Sequence, residues 1–135
     1  MKKILTIYGT RPEAIKVAPV IKALEADDRF TSVAVSTGQH REMLDQVNGM
    51  FGITPDHDLA LMKQGQSLNE IVSRAVAGLD GIIAEEKPDA VIAQGDTSTA
   101  MAAAVAAFNR EIPVIHLEAG LRTGNIHSPF PEEAN

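Results

Sequence analysis

The chain of 135 residues contains no cysteine. This absence excludes a disulfide framework, a thiolate nucleophile and a cysteine-ligated zinc site. A run of basic residues is also missing, since 18 acidic residues stand against 12 Lys and Arg and the formal net charge is -6. Because binding to nucleic acid or to an anionic membrane relies on clustered cations, the composition argues against both kinds of partner.

The amino-terminal region lacks the long apolar run of a signal peptide or a membrane-spanning helix. Met1-Lys2-Lys3 leads directly into a short apolar segment at 4–8. We therefore expect a cytoplasmic protein without a membrane partner. The length of 135 residues and the hydrophobic content of 44% suit one globular domain with a substantial core.

The common nucleotide and hydrolase motifs are missing as well. No G-x-G-x-x-G follows the first apolar segment, and the second ends at 36–38 without the acid that would hold an adenosine ribose. The motifs G-x-x-x-x-G-K-[ST], H-E-x-x-H and G-x-S-x-G do not occur either. We therefore expect no NAD, FAD, metal or other cofactor, which leaves acid–base chemistry and the binding of an anion.

What is present is an alternation of strand and helix patterns. Strands are predicted at 4–8, 32–37, 58–61, 90–94 and 113–117, and helices at 13–26, 42–51, 68–86 and 97–109. The S/T-x-x-E spacing that starts at Thr10 and again at Ser67 is typical of a capping box, and Pro19 predicts a kink in the first helix. The alternation predicts an α/β fold, a Rossmann-like doubly wound parallel sheet with helices on both faces.

Polar groups follow four of the predicted strands, at 9–13, 38–42, 95–99 and 118–122. In an open α/β sheet, ligands bind in the crevice beyond the carboxyl ends of the strands, so these four loops should converge on one site. His116 and Glu118 in the last group are expected to leave their strand on the same face.

Five blocks of the chain resemble the non-hydrolysing UDP-N-acetylglucosamine 2-epimerases of bacteria. They are GTRPEAIK at 9–16, QHREMLDQ at 39–46, GDT at 95–97, HLEAGLRT at 116–123 and SPFPEEAN at 128–135. The resemblance implies the two-domain, glycosyltransferase-B-like architecture, with residues 1–135 as an incomplete amino-terminal domain and the carboxyl-terminal UDP-binding domain absent from this chain. We therefore expect the isolated chain to be inactive, since domain closure completes such a site.

The resemblance implies an isomerase that interconverts UDP-N-acetylglucosamine and UDP-N-acetylmannosamine, with these nucleotide sugars and a second copy in a homodimer as partners. The reaction eliminates and re-adds UDP, so it needs acid–base groups near both faces of the sugar and stabilisation of the leaving diphosphate. By resemblance, the catalytic carboxylates are Asp96, Glu118 and Glu132. Substrate-binding roles fall to Arg11, Lys16, His116 and Arg122, and Gln39 and His40 are candidates for a regulatory pocket.

Structural roles compete with several of these assignments. Asp96 could serve only as a helix cap, and Lys16 could form an exposed ion pair with Glu13 three residues earlier. His116 could be a satisfied core histidine or could orient a carboxylate, and Glu132 could belong to a plain acidic loop or to the first turn of a helix.

Two other function classes share the same sequence features. A glycosyltransferase half-domain would have the same sheet but would transfer the sugar to an acceptor. A non-catalytic nucleotide-sugar-binding module would bind without turnover. A metal-dependent hydrolase built on His116 and Glu118 is disfavoured because no third ligand stands at recognisable spacing.

Overall fold

The computed structural model describes residues 2–38, 49, 52–53, 55–59, 66–95 and 97–118. Five strands lie in this part of the chain: β1 (Lys2–Tyr8), β2 (Phe30–Ser36), β3 (His57–Asp58), β4 (Ala90–Gln94) and β5 (Val114–Leu117). The helices among these residues are α1 (Arg11–Ala26), α2 (Leu68–Glu86) and α3 (Ser98–Asn109). All strand pairs are parallel, in the order β3-β2-β1-β4-β5, which confirms the predicted Rossmann-like sheet.

The strand order reverses between β1 and β4. The chain builds outward from β1 through β2 to β3, and then continues on the other side of β1 with β4 and β5. In doubly wound sheets the ligand crevice opens at the carboxyl ends of the strands at such a switch point. The loops that follow β1 and β4 therefore lie side by side at the place where a ligand is expected.

The sheet has a hydrophobic core on each face, because side chains of a strand point alternately to opposite sides. Leu5 and Ile7 of β1 belong to a cluster that includes buried residues of α2 and α3. Tyr8, the next residue, belongs to a second cluster with buried residues of α1. Helices thus cover both faces, as the sequence predicts.

The helix starts follow the predicted capping signals. The Thr10 hydroxyl accepts a hydrogen bond from the Glu13 backbone N–H, and the Ser67 hydroxyl accepts one from Glu70 at 3.2 Å. With Thr10 as the cap, α1 begins at Arg11, two residues before the predicted start. Pro19 does not interrupt α1, which runs continuously to Ala26.

Some predicted boundaries are wrong because strand pairing extends or shortens the elements. β2 begins two residues early because Phe30 pairs with Lys2 at the amino end of β1. β3 is limited to the two residues that pair with Val35 and Ser36. The helix predicted at 42–51 falls almost wholly outside the described residues. Within the described ranges, no helix combines the length and apolar character needed to cross a bilayer.

Thr6 is a buried polar residue of β1 whose hydroxyl has no hydrogen-bond partner among the described residues. An unsatisfied buried polar group costs about 1–3 kcal/mol, so we expect Thr6→Val to raise the free energy of unfolding by about 1 kcal/mol. Urea unfolding of the 135-residue chain measures this change. Thr6→Ser keeps the hydroxyl and should show no gain, and a Val variant less stable than the original chain would contradict the assignment.

Candidate active site

Four strand ends come together at one edge of the sheet. The Thr37 hydroxyl after β2 lies 3.3 Å from the Thr99 hydroxyl at the start of α3. Gly9, after β1, lies against both: a Cβ built on it would stand 2.5 Å from Thr99 Oγ1 and closer still to Thr37 Oγ1. Glu118, after β5, binds Gln94 at the end of β4. The predicted convergence is therefore confirmed for the described parts of the four loops.

Glu118 joins three elements through its carboxylate. Gln94 Nε2 donates to Glu118 Oε2 at 2.8 Å, and the Lys16 ammonium of α1 forms an ion pair with the same carboxylate. The Glu118 backbone has φ 53°, in the left-handed region that non-glycine residues seldom adopt. Such conformations persist where the surroundings hold them and are common at functional sites.

The prediction that His116 and Glu118 leave their strand on the same face is wrong, and the left-handed backbone at Glu118 explains why. His116 lines a cavity with Met101 and Ala104, on the α3 side of the sheet. Glu118 instead reaches Lys16 of α1, which covers the other side. The strand alternation ends at Leu117, so His116 and Glu118 do not share a face.

His116 is exposed, so the alternative of a core histidine is wrong. Its Nε2–H donates to the carbonyl oxygen of Gly95, which has φ 75°. With Gly95 and Thr97 it forms the polar rim of a cavity of about 180 Å³. The remaining lining residues of this cavity are Ala93, Ala100, Met101, Ala104 and Val114.

Lys16 has a different partner from the one that local spacing suggests. The alternative of an ion pair with Glu13 is wrong, because Lys16 binds Glu118 while Glu13 is only 4% exposed and faces inward. Both residues of the actual pair are exposed, with Lys16 at 48% and Glu118 at 59%. Arg11 is exposed at the first position of α1.

Glu13 lies at the candidate site, although its sequence pattern predicts only half of a capping box and an exposed partner for Lys16. Its Oε2 accepts the Gly9 backbone N–H at 3.1 Å, and its Oε1 accepts the hydroxyl proton of Thr97. Burial raises the pKa of this carboxyl, and the hydrogen bonds from Thr97, Gly9 and Thr10 counteract that rise in part. The Gly9 backbone N–H, which lies just before α1 and could donate to a ligand phosphate, is thus taken by the chain's own carboxylate.

Several predicted site residues lie outside the described residues: Asp96, Glu132, Arg122, Gln39 and His40. The cap of α3 is Thr97, whose hydroxyl accepts the Ala100 backbone N–H. The described residues contain no group of three or more His, Asp or Glu that could hold a metal ion.

The ion pair between Lys16 and Glu118 predicts how the stability of the chain depends on pH. The hydrogen bond from Lys16 has the largest effect on the pKa of Glu118 and lowers it; desolvation opposes this, and the hydrogen bond from Gln94 lowers the pKa further. A carboxyl whose pKa is lowered by folding stabilises the fold above its unfolded pKa, and this contribution is lost as the pH falls through the folded pKa. Lys16→Met should therefore raise the pKa of Glu118 toward the ordinary value and remove that part of the stability at neutral pH.

A ¹³C NMR titration of the Glu118 carboxyl measures this change. Lys22→Met is the matched control, since Lys22 lies on the same helix but contacts the Gly52 carbonyl oxygen and Glu25 instead. A Glu118 pKa that is the same in the Lys16 variant as in the original chain would contradict the assigned pair.

Comparison with known proteins decides the family of this chain. The family model described as UDP-N-acetylglucosamine 2-epimerase matches residues 22–135. The UDP-N-acetylglucosamine 2-epimerases of Salmonella typhimurium and Escherichia coli K12 are each 56% identical to this chain over 133 residues, which is 98% of its length. The chain belongs to the UDP-N-acetylglucosamine 2-epimerase family.

Solved structures of epimerases have the same fold as this chain. The Neisseria meningitidis epimerase bound to UDP-GlcNAc superposes with a TM-score of 0.93 at 54% identity, over 98% of this chain and 36% of that one. The Methanocaldococcus jannaschii epimerase in complex with UDP-GlcNAc and UDP gives 0.89 at 33% identity, over 98% and 36%. The chain spans about 35% of the length of the curated epimerases that it matches.

Proposed function

We propose that this chain supplies the amino-terminal part of an isomerase that interconverts UDP-N-acetylglucosamine and UDP-N-acetylmannosamine. The observation that carries the proposal is the Glu118 carboxylate, held by Lys16 and Gln94 at the ligand-binding edge of the sheet. It lies in a chain that is 56% identical, over 98% of its length, to proteins named for this activity. The nucleotide sugar bound to the Neisseria relative supports the same substrate class.

The chemistry explains why carboxylates are needed. The C2 proton of the sugar is not beside a carbonyl, so a base alone removes it poorly at neutral pH. As UDP leaves C1 with the bonding electron pair, positive charge develops at C1 and acidifies the C2 proton. A carboxylate takes this proton, the C2–H electrons form the C1–C2 double bond, and addition of UDP with protonation on the opposite face of C2 gives the epimer.

The proposed roles divide between acid–base groups and groups that hold the substrate. Asp96, Glu118 and Glu132 are proposed to transfer protons. Arg11, Lys16, His116 and Arg122 are proposed to hold the substrate, and Gln39 and His40 to line a regulatory pocket. A carboxyl-terminal domain that binds UDP, a homodimer and a cytoplasmic location stay predictions of the sequence.

Lys16 is placed to serve both the carboxylate and the diphosphate. Its side chain is half exposed, so an incoming anion can approach Lys16 while it binds Glu118. Stabilisation of a leaving diphosphate by a positioned cation lowers the barrier because the charge develops next to a group already in place. The pair of Lys16 and Glu118 thus places a proton-transfer group beside a cation that can stabilise the leaving diphosphate.

The test uses a hybrid protein in which residues 1–135 of this chain are joined to the part of the Escherichia coli relative that follows its matched segment. Proton NMR of the anomeric signals should show conversion of UDP-N-acetylglucosamine to UDP-N-acetylmannosamine, with the unaltered Escherichia coli protein as the positive control. UDP release only with an added acceptor would favour a glycosyltransferase. Binding without turnover by a folded hybrid would favour a binding module, and either result would contradict the proposal.

A further inference from the structure

Glu13 is a buried carboxylate at the switch point of the sheet. Its two oxygens face different loops: Oε2 accepts from Gly9 after β1, and Oε1 accepts from Thr97 after β4. Glu13 and Thr97 are 84 residues apart in the sequence. Glu13 is 4% exposed and Thr97 is half-buried, so bulk water competes only weakly for these hydrogen bonds.

Both partners of this carboxylate belong to the capped start of a helix. Thr10 caps α1, and its hydroxyl accepts the Glu13 backbone N–H. Thr97 caps α3, and its hydroxyl accepts the Ala100 N–H while it donates its proton to Glu13. Because α1 and α3 pack on opposite faces of the sheet, the Glu13 carboxylate ties the two layers together across the sheet edge.

The same two segments carry the side chains that hold Glu118. Lys16 lies three residues after Glu13, on α1, and Gln94 lies three residues before Thr97, at the end of β4. Among the described residues, these two bind the Glu118 carboxylate from different elements. A change in the separation of α1 from the end of β4 would therefore change both contacts of Glu118 at once.

We propose that Glu13 is a positioning residue whose carboxylate fixes the separation of Lys16 on α1 from Gln94 on β4, and thereby the place of the Glu118 carboxylate. The consequence for catalysis rests on the proposed function, in which Glu118 transfers a proton. The buried network supports this role because a fully satisfied polar network in a low-dielectric interior is rigid, whereas an unpaired carboxylate there would be costly.

Two pairs of variants separate the effect of the reach of the Glu13 side chain, meaning its length, from the effect of its charge and from a general loss of stability. Glu13→Asp keeps the charge but is one methylene too short to join Gly9 to Thr97, whereas Glu13→Gln keeps the reach. At the other end, Thr97→Val removes the hydroxyl and Thr97→Ser retains it. Glu25→Gln is the control, because Glu25 lies on the same helix, exposed, and contacts Lys22.

The first readout is the pKa of Glu118, measured by ¹³C NMR in the 135-residue chain, with urea unfolding alongside. In Glu13→Asp and Thr97→Val, the Glu118 pKa should rise toward the ordinary value of about 4.3. It should stay unchanged in Glu13→Gln, Thr97→Ser and the control. An unchanged Glu118 pKa in both Glu13→Asp and Thr97→Val would overturn the proposal, whatever their stability.

The second readout is catalysis by the hybrid protein. Glu13→Asp should lower kcat by at least about 10-fold with little change in KM, and Glu13→Gln should stay within about threefold of the unaltered hybrid. A fall of kcat in Glu13→Gln as large as that in Glu13→Asp would overturn the proposal that the length of the Glu13 side chain positions Glu118. If the hybrid does not epimerise the sugar but the Glu118 pKa responds as expected, the proposed function fails and the positioning role of Glu13 stands.

Discussion

Glu118→Gln in the hybrid protein is expected to lower turnover by at least about 100-fold, the usual effect of removing a general acid or base. The amide has nearly the same shape as the carboxylate, and its oxygen can still accept from Gln94 or Lys16. It cannot, however, accept the C2 proton of the sugar. We therefore expect kcat to fall while KM changes little, as for a group whose main effect is on the transition state.

Glu111→Gln is the matched control for this experiment. Glu111 is an exposed glutamate with φ 59°, close to the 53° of Glu118, but it lies after α3 at the opposite end of β5. Its substitution should leave turnover unchanged. Turnover by Glu118→Gln within threefold of the unaltered hybrid would exclude Glu118 as an essential proton-transfer group.

Gly9→Ala is expected to destabilise the chain by about 2 kcal/mol, within the range for overpacking a tight interior. The added methyl would stand 2.5 Å from Thr99 Oγ1 and 3.3 Å from its Cβ, and closer still to Thr37 Oγ1. Thr37 and Thr99 are both buried, so neither side chain has free space into which to move. Urea unfolding of the 135-residue chain measures the loss.

Two further variants test whether the crowding is the cause. Thr99→Ala added to Gly9→Ala removes one of the two clashing hydroxyls and should restore part of the lost stability. Gly81→Ala is the control, because a Cβ at Gly81 in α2 meets no atom within 4 Å and should stabilise the helix by up to about 1 kcal/mol. If Gly9→Ala unfolded at the same urea concentration as the original chain, the close approach of the loops would be contradicted.

The fold could be predicted because its signals are local. Alternating strand and helix patterns, the hydroxyl caps at Thr10 and Ser67, and polar groups after the strands all depend on short sequence windows. Together they led to a parallel sheet, which the structure confirms, and to a candidate site at its carboxyl edge. The strand boundaries were less accurate because the partner strand, as at Phe30 and Lys2, decides where pairing begins.

The hydrogen bonds and the ion pair of the site could not be predicted, because the residues that form them are distant in sequence. Lys16 and Glu118 are 102 residues apart, whereas the local rule pointed to Glu13 at three residues. Glu13 instead points inward, where its carboxylate accepts a hydrogen bond from Thr97. The left-handed backbone at Glu118 has no sequence signal, since glutamate carries no preference for it, so the expectation about His116 was wrong.

Deuterium exchange at C2 tests proton transfer by the Glu118 carboxylate most directly. UDP-N-acetylglucosamine is incubated in D₂O with the hybrid protein, and proton NMR follows the C2 and anomeric signals. We expect UDP-N-acetylmannosamine to appear with deuterium at C2 and Glu118→Gln to abolish most of this uptake. Epimerisation that retains the original C2 proton, or deuterium uptake unaffected by Glu118→Gln, would contradict proton transfer by the Glu118 carboxylate.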